Sequence, residues 1–274
     1  MGPRRVAGKP PWHSCVPPSA AGPCPVSHAL EERTAGCVVS RDAYAGAMEM
    51  ELDLPPAIPV MTLPGTVLFP QALLPLHIFE PRYRQMLRDV LSTHRIFAVA
   101  RLDEALAAEP GQYEPPHRVA TAGIIRACQE NENGTSNLLL QGLCRVEFTE
   151  ILHDEPYRCV HARPLASTPG AAGQENLRLR QELARLLSLK RKFGAPMSDE
   201  LAAFLRTVED PETFVALAAF GFCEDAAVKQ KLLETLDTHR RLQLFSAQVR
   251  AEIEAIKLRR KLQGALGDDA VSNN

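Results

Sequence analysis

At Pro164 the hydrophobic period of this chain changes. Before it, apolar residues alternate with polar ones in short runs; after it, they recur at spacings of three and four. A strand buries every second side chain and a helix buries one stripe, so neither pattern can stand in for the other. A block of strands followed by a block of helices defines the α+β class. The expected architecture is a curled sheet or partly closed barrel with one early helix, followed by a helical bundle.

The β half opens with a strand over Ile58 to Leu63, ended by a Pro64-Gly65 turn. Leu74, Leu76 and Ile78 alternate as a half-buried strand, which runs through Glu80-Pro81 into a helix. Proline suits the first helical turn, where its missing N–H would have no partner. Tyr83, Leu87, Val90 and Leu91 then form one apolar stripe. Ile96 to Ala100 is a continuous apolar run of strand length, and residues 103 to 117 read as a loop or helical turn. Val119 to Cys128 reads as a strand, with Gly123 marking a bulge or a close backbone approach. Asn133-Gly134 predicts a tight hairpin into Asn137 to Leu140. Gly142 is expected to break that strand. Val146, Phe148 and Ile151 continue the β pattern, residues 153–156 turn it, and Tyr157 to Pro164 returns.

After a small-residue linker over Ser167 to Gly173, the chain is helical from Leu177. Leu179, Leu183, Leu186 and Phe193 form a stripe that Gly194-Ala195-Pro196 stops. Ser198 is a candidate cap for the next helix, with Asp199 and Glu200 in its first turn. Asp210-Pro211 starts a short helix that Gly221 is expected to end. Leu232, Leu236, His239, Leu242, Phe245, Val249, Ile253 and Ile256 predict one long final helix.

Residues 1–50 are rich in Pro, Gly, Ala and Ser without a sustained period, and are expected to be disordered. Met48 and Met50 offer an alternative start, in which case the preceding segment is not translated. His13, Cys15, Cys24, His28 and Cys37 match no zinc spacing. Residues 265–274 are small and polar, and expected to fray. The net charge of −2, with Lys and Arg spread among Asp and Glu, argues against nucleic acid as a partner. No apolar run approaches the roughly 18 residues of a membrane span. Seven cysteines without a Cys-x-x-Cys pair suit reduced thiols in the cytoplasm.

The run Leu63-Pro64-Gly65-Thr66-Val67-Leu68-Phe69-Pro70, followed by Pro75-Leu76-His77-Ile78-Phe79-Glu80-Pro81-Arg82-Tyr83, strongly resembles the start of the N-terminal substrate-binding domain of Lon proteases. Val119-Ala120-Thr121-Ala122-Gly123-Ile124-Ile125 looks like that family's Val-Gly-Thr strand, with Ala120 in place of glycine. Leu140-Gln141-Gly142-Leu143-Cys144-Arg145-Val146, Glu155-Pro156-Tyr157, and Lys229 to Glu234 with Arg241-Leu242 are similar to later segments, in the same order. The likeness runs from about Ile58 to Gln263. It implies a PUA-like β pseudo-barrel over 57–165 packed beside a helical subdomain over 174–264, together one Lon N-terminal-type domain spanning 57–263. It further implies binding of unfolded or tagged polypeptide in protein quality control, and a part in assembly.

No Gly-x-x-x-x-Gly-Lys-Ser/Thr loop occurs, so nothing supports ATP hydrolysis. The family's Ser-Lys protease pair belongs to a later domain; Ser188 and Lys190 read instead as helix-surface residues. No catalytic residue, metal or cofactor is expected. Leu68, Phe69 and Leu73 are the candidate peptide contacts, with plugging of the barrel end as the alternative. Pro75, His77, Phe79, Glu80, Pro81, Arg82, Tyr83, Gly142 and Arg145 are read as structural. In that reading Glu80 accepts helix N–H groups, Arg82 pairs with a carboxylate, Tyr83 anchors helix to sheet, and Arg145 is a barrel-closing ion-pair residue. Cys128, Cys144 and Cys159 are read as small core residues, and His239 as a hydrogen-bonded helix contact. The rival reading is an adaptor that self-associates, or docks on a protease or chaperone partner, through the final helix. A hydrolase with an unrecognised site is the third.

Overall fold

A computed structural model describes residues 54–193 and 199–265 of the 274-residue chain. The expectations for residues 1–50, the Gly194-Ala195-Pro196 stop, the Ser198 cap and the carboxy-terminal tail lie outside the described residues.

There are six strands and seven helices among the described residues: β1 (Ile58–Leu63), β2 (Leu73–Ile78), α1 (Pro81–Leu91), β3 (Ile96–Arg101), α2 (Glu104–Ala107), β4 (Val119–Glu130), β5 (Ser136–His153) and β6 (Cys159–Leu165) form the first half. Helices α3 (Gly173–Lys192), α4 (Asp199–Thr207), α5 (Pro211–Phe222), α6 (Ala226–Glu234) and α7 (Thr238–Ala265) form the second. The strands make one sheet in the order β2-β5-β4-β3-β1-β6, and β6 also pairs back onto β5. Five strands therefore close a circuit of hydrogen-bonded pairs, with β2 added outside β5. The β1–β3 pair is parallel, the rest antiparallel.

The long β5 makes this closure. Its first residues pair with β2 and its last with β6, while β4 follows both parts. Register shifts at Ala122/Gly123, Phe148/Glu150 and Ile151/His153 supply the bends, since an extra residue on one strand raises its local twist. Within the circuit lies a cluster including Ile58, Val60, Ala98, Ala100, Ala120, Ala122, Val146 and Val160. Four alanines sit among larger residues there, since the interior of a small closed sheet has little width to fill.

A larger cluster joins Met61, Phe97, Val99, Leu138 and Leu140 to the α1 stripe of Tyr83, Met86, Leu87 and Val90. It continues into the helical half through Leu183, Phe214, Leu232, Phe245 and Val249. Both sides of β3 are thus covered, which explains its uninterrupted apolar run.

Two expectations about breaks are corrected, and a third shifts by one residue. Gly142 lies inside β5 rather than ending it: a Cβ there would sit 2.1 Å from the Phe69 carbonyl oxygen, so glycine serves a backbone-on-backbone approach. Gly221 is the next-to-last residue of α5, so the helix ends one residue past it, and a side chain there would meet Leu201 of α4. The single final helix is two, because the chain leaves helical geometry between Glu234 and Thr238, where Thr168 forms a bridge with Asp237.

Candidate functional site

The strand-to-helix corner after β2 is held by charge. Arg82 donates two hydrogen bonds to the Glu114 carboxylate, at 2.6 and 3.0 Å, one to Tyr113 Oη at 2.8 Å and one to Glu80 at 2.9 Å. The Glu114 carboxylate above all, with Glu80 adding to it, holds its guanidinium above the ordinary range of an arginine. Arg82 therefore meets carboxylates as expected, but Glu80 does not cap α1 with its side chain. Pro81 has no N–H to offer, and the Glu80 carboxylate is turned to Arg82. Tyr83 anchors α1 to β1: its hydroxyl donates to Thr62 O and accepts from Thr62 N–H, each at 3.3 Å. Burial pushes its phenol up.

Of the candidate peptide contacts, Leu68 and Phe69 have no exposed surface, whereas Leu73 is 49% exposed. The pleat explains the difference. Leu74, Leu76 and Ile78 point inward, so Leu73, Pro75 and His77 point out, and Phe79 follows in the same phase at 60% exposed. Leu68 and Phe69 instead pack under the sheet; Thr121 Oγ1 donates to the Leu68 carbonyl at 2.6 Å.

Register places further residues beside this row. Leu73 stands opposite Gln141 and, one strand on, Ile124; Pro75 opposite Leu139 and Ala127; His77 opposite Asn137 and Gln129. His77 Nδ1–H donates to Asn137 Oδ1 at 2.7 Å, and its ring stacks on Phe79 with centroids 6.1 Å apart. The result is an apolar, solvent-facing area on β2, β5 and β4 bordered by polar side chains. Proline is tolerated at position 75 because β2 is an edge strand, with β5 as its single strand partner among the described residues. Sequence reasoning missed Phe79 and Ala127 as surface, and Ile124 and Leu139 as half-buried. The signal was present in the odd positions 73 to 79, out of phase with the buried set.

Arg145 does not close the barrel. It is buried and crosses to the helical half, donating to Leu233 O, Ser167 Oγ and Glu212 Oε1, each at 3.1 Å. Lys190, expected at the surface, is also buried: it lies 2.7 Å from a Glu252 carboxylate oxygen and donates to Phe222 O. Ser188 is exposed and its hydroxyl returns to Ala184 O. Cys128, Cys144 and Cys159 are free thiols on three strands, and burial pushes Cys144 and Cys159 up to about 11. No group of three or more His, Cys, Asp or Glu side chains suited to a metal occurs among the described residues. His239 accepts or donates within hydrogen bonds to Asn176 and Gln243. No helix there is long and apolar enough to cross a membrane.

A sheet closed on itself and backed by helices defines an α+β domain, and the row along β2 is its exposed apolar feature. The chain belongs to the ATP-dependent protease La (LON) substrate-binding domain family, whose model matches residues 57–249. Among its relatives, Lon protease of Syntrophus aciditrophicus is 27% identical over 218 residues, covering 79% of this chain and 28% of that protein. Lon protease of Desulfovibrio desulfuricans is 27% identical over 230 residues, covering 82% and 25%. The chain thus spans about a quarter of the length of these relatives. Two solved structures share the fold. The N-terminal domain of Mycobacterium avium complex Lon protease aligns with TM-score 0.55 at 16% identity, over 71% of this chain and 98% of that one. A Lon N-terminal domain protein from Xanthomonas campestris aligns with TM-score 0.52 at 21% identity, over 70% and 97%.

Proposed function

We propose that this chain is a non-enzymatic module that binds unfolded or tagged polypeptide in a Lon-type proteolytic or quality-control setting. The face carried by β2, β5 and β4 takes the polypeptide. The observation that carries this reading is the exposed row Leu73, Pro75 and Phe79 along and just past an edge strand, flanked by the half-buried Ile124 and Leu139. Exposed apolar area beside a sheet edge is what an extended chain uses for recognition. The closed circuit of strand pairs supports the PUA-like pseudo-barrel reading of the first half.

The test is binding of the full chain to fluorescently labelled, reduced and carboxymethylated α-lactalbumin, which stays unfolded, against the native form. Saturable binding to the unfolded form is expected, weakened at least tenfold by Leu73→Asp with Phe79→Asp. Binding unaffected by that pair removes the proposed face, and no saturable binding removes the function.

The adaptor reading keeps one observation in its favour. Leu258 and Leu262, one turn apart on α7, are each 58% exposed. Concentration-dependent sedimentation abolished by Leu258→Asp would favour it.

A further inference from the structure

A second cleft, of about 670 Å³, opens between α3, α4 and α5 and shares no residue with the β2 face. Leu187, Leu205, Phe214 and Phe222, all nearly buried, line its apolar wall, and Ala184 and Ala202 leave space above them. Its polar lining among the described residues is cationic: Arg180, Arg191, Lys192 and Arg206, with Ser188 and no carboxylate. That bias stands out in a chain whose formal net charge is −2.

The cations differ in their commitments. Arg180 donates to the Val208 and Leu205 carbonyls at the end of α4 and lies 4.6 Å from the Phe214 ring centroid, so it builds the wall. Lys192 and Arg206 are exposed at the last turns of α3 and α4, without a carboxylate partner among the described residues. The volume falls in the range of small-molecule sites. Helices wall the cleft: within them backbone groups are already paired, and Arg180 takes carbonyls at the end of α4. An extended peptide lying there would leave its own N–H and C=O groups short of partners. A hydrocarbon chain carries no such groups, and one anionic head suffices to meet the cations.

We infer that this cleft binds a long-chain carboxylate, with the hydrocarbon against Leu187, Leu205, Phe214 and Phe222 and the head at Lys192 and Arg206. The test titrates the full chain with cis-parinaric acid and with its methyl ester, following polyene fluorescence. Saturable binding of the acid is expected, with the ester at least tenfold weaker. Lys192→Glu combined with Arg206→Glu weakens the acid at least tenfold, while circular dichroism shows an unchanged fold and unfolded α-lactalbumin binds as before. Equal affinity for acid and ester, or indifference to the two reversals, overturns a carboxylate site. No saturation by either probe overturns the site itself. A fluorescein-labelled acidic, leucine-rich peptide that binds and is weakened by the same reversals, where parinaric acid fails, reassigns the cleft to polypeptide and overturns the inference.

Discussion

Nη1 of Arg145, on β5, lies 3.1 Å from Oε1 of Glu212, in the first turn of α5. Arg241, from α7, reaches the same oxygen at 3.6 Å, and both guanidiniums donate to Ser167 Oγ at 3.1 Å. Two buried cations thus share one half-exposed carboxylate. Burial lowers both arginines, Arg241 to about 10 with its neighbour Arg145 adding to the effect. Glu212→Ala leaves both cations without a carboxylate. It is expected to cost about 2–3 kcal/mol in a urea unfolding curve, below the loss for a fully buried pair because Glu212 is partly solvated.

Gly142 should be intolerant of any side chain. An alanine Cβ would fall 2.1 Å from Phe69 O, in the segment where Gln71 N–H donates to Gly142 O and Gly142 N–H donates to Ala72 O, each at 2.9 Å. Gly142→Ala is expected to cost about 3 kcal/mol or more, since backbone must move. Gly173→Ala, with open space at its Cβ, should shift the melting temperature little.

Tyr83→Phe removes one hydroxyl that both donates and accepts at Thr62. A loss of about 1–2 kcal/mol by chemical denaturation is expected, because the Thr62 backbone groups lose this partner. Tyr83→Ala adds a cavity under α1 and should reach about 3–5 kcal/mol.

Burial pushes the Cys159 and Cys223 thiols up from 9.0 to about 11. Between those values the unfolded chain has released protons that the folded chain still holds, so their contribution is intact below pH 9 and fades as pH rises to about 11. Thiol modification of the native chain at pH 8, read by mass spectrometry, should leave both cysteines unlabelled until denaturant is added.

Local chemistry carried much of the architecture. The change of period at Pro164 separated strands from helices, Ile58–Leu63 was readable to the residue, and Asp210-Pro211 marked the start of α5, where Asp210 accepts from Thr213 N–H at 2.8 Å. The motif at 63–83 pointed to the family before any coordinates did. Periodicity says which side chains must leave water, because burial on one face is a local requirement. It does not say what they meet.

That gap accounts for the corrections. Leu68 and Phe69 are apolar in a proline-flanked loop, and only the packed sheet decided that they lie beneath it while Leu73 and Phe79 face solvent. Lys190 looked like surface because its carboxylate partner lies 62 positions away, on α7. The long stripe from Leu232 to Ile256 is continuous in sequence but broken in space. Arg145 and Arg241 take the carbonyls of Leu233, Thr235 and Leu236, and Asp237 accepts from Arg240 N–H at 2.8 Å to start α7 afresh. The arginines were not legible, since a hydrogen bond between residues 88 apart leaves no periodic trace. Sequence alone determined the kinds of elements and their order, through local burial and backbone preference. The tertiary structure decided which faces remained open, because exposure depends on every element that packs nearby.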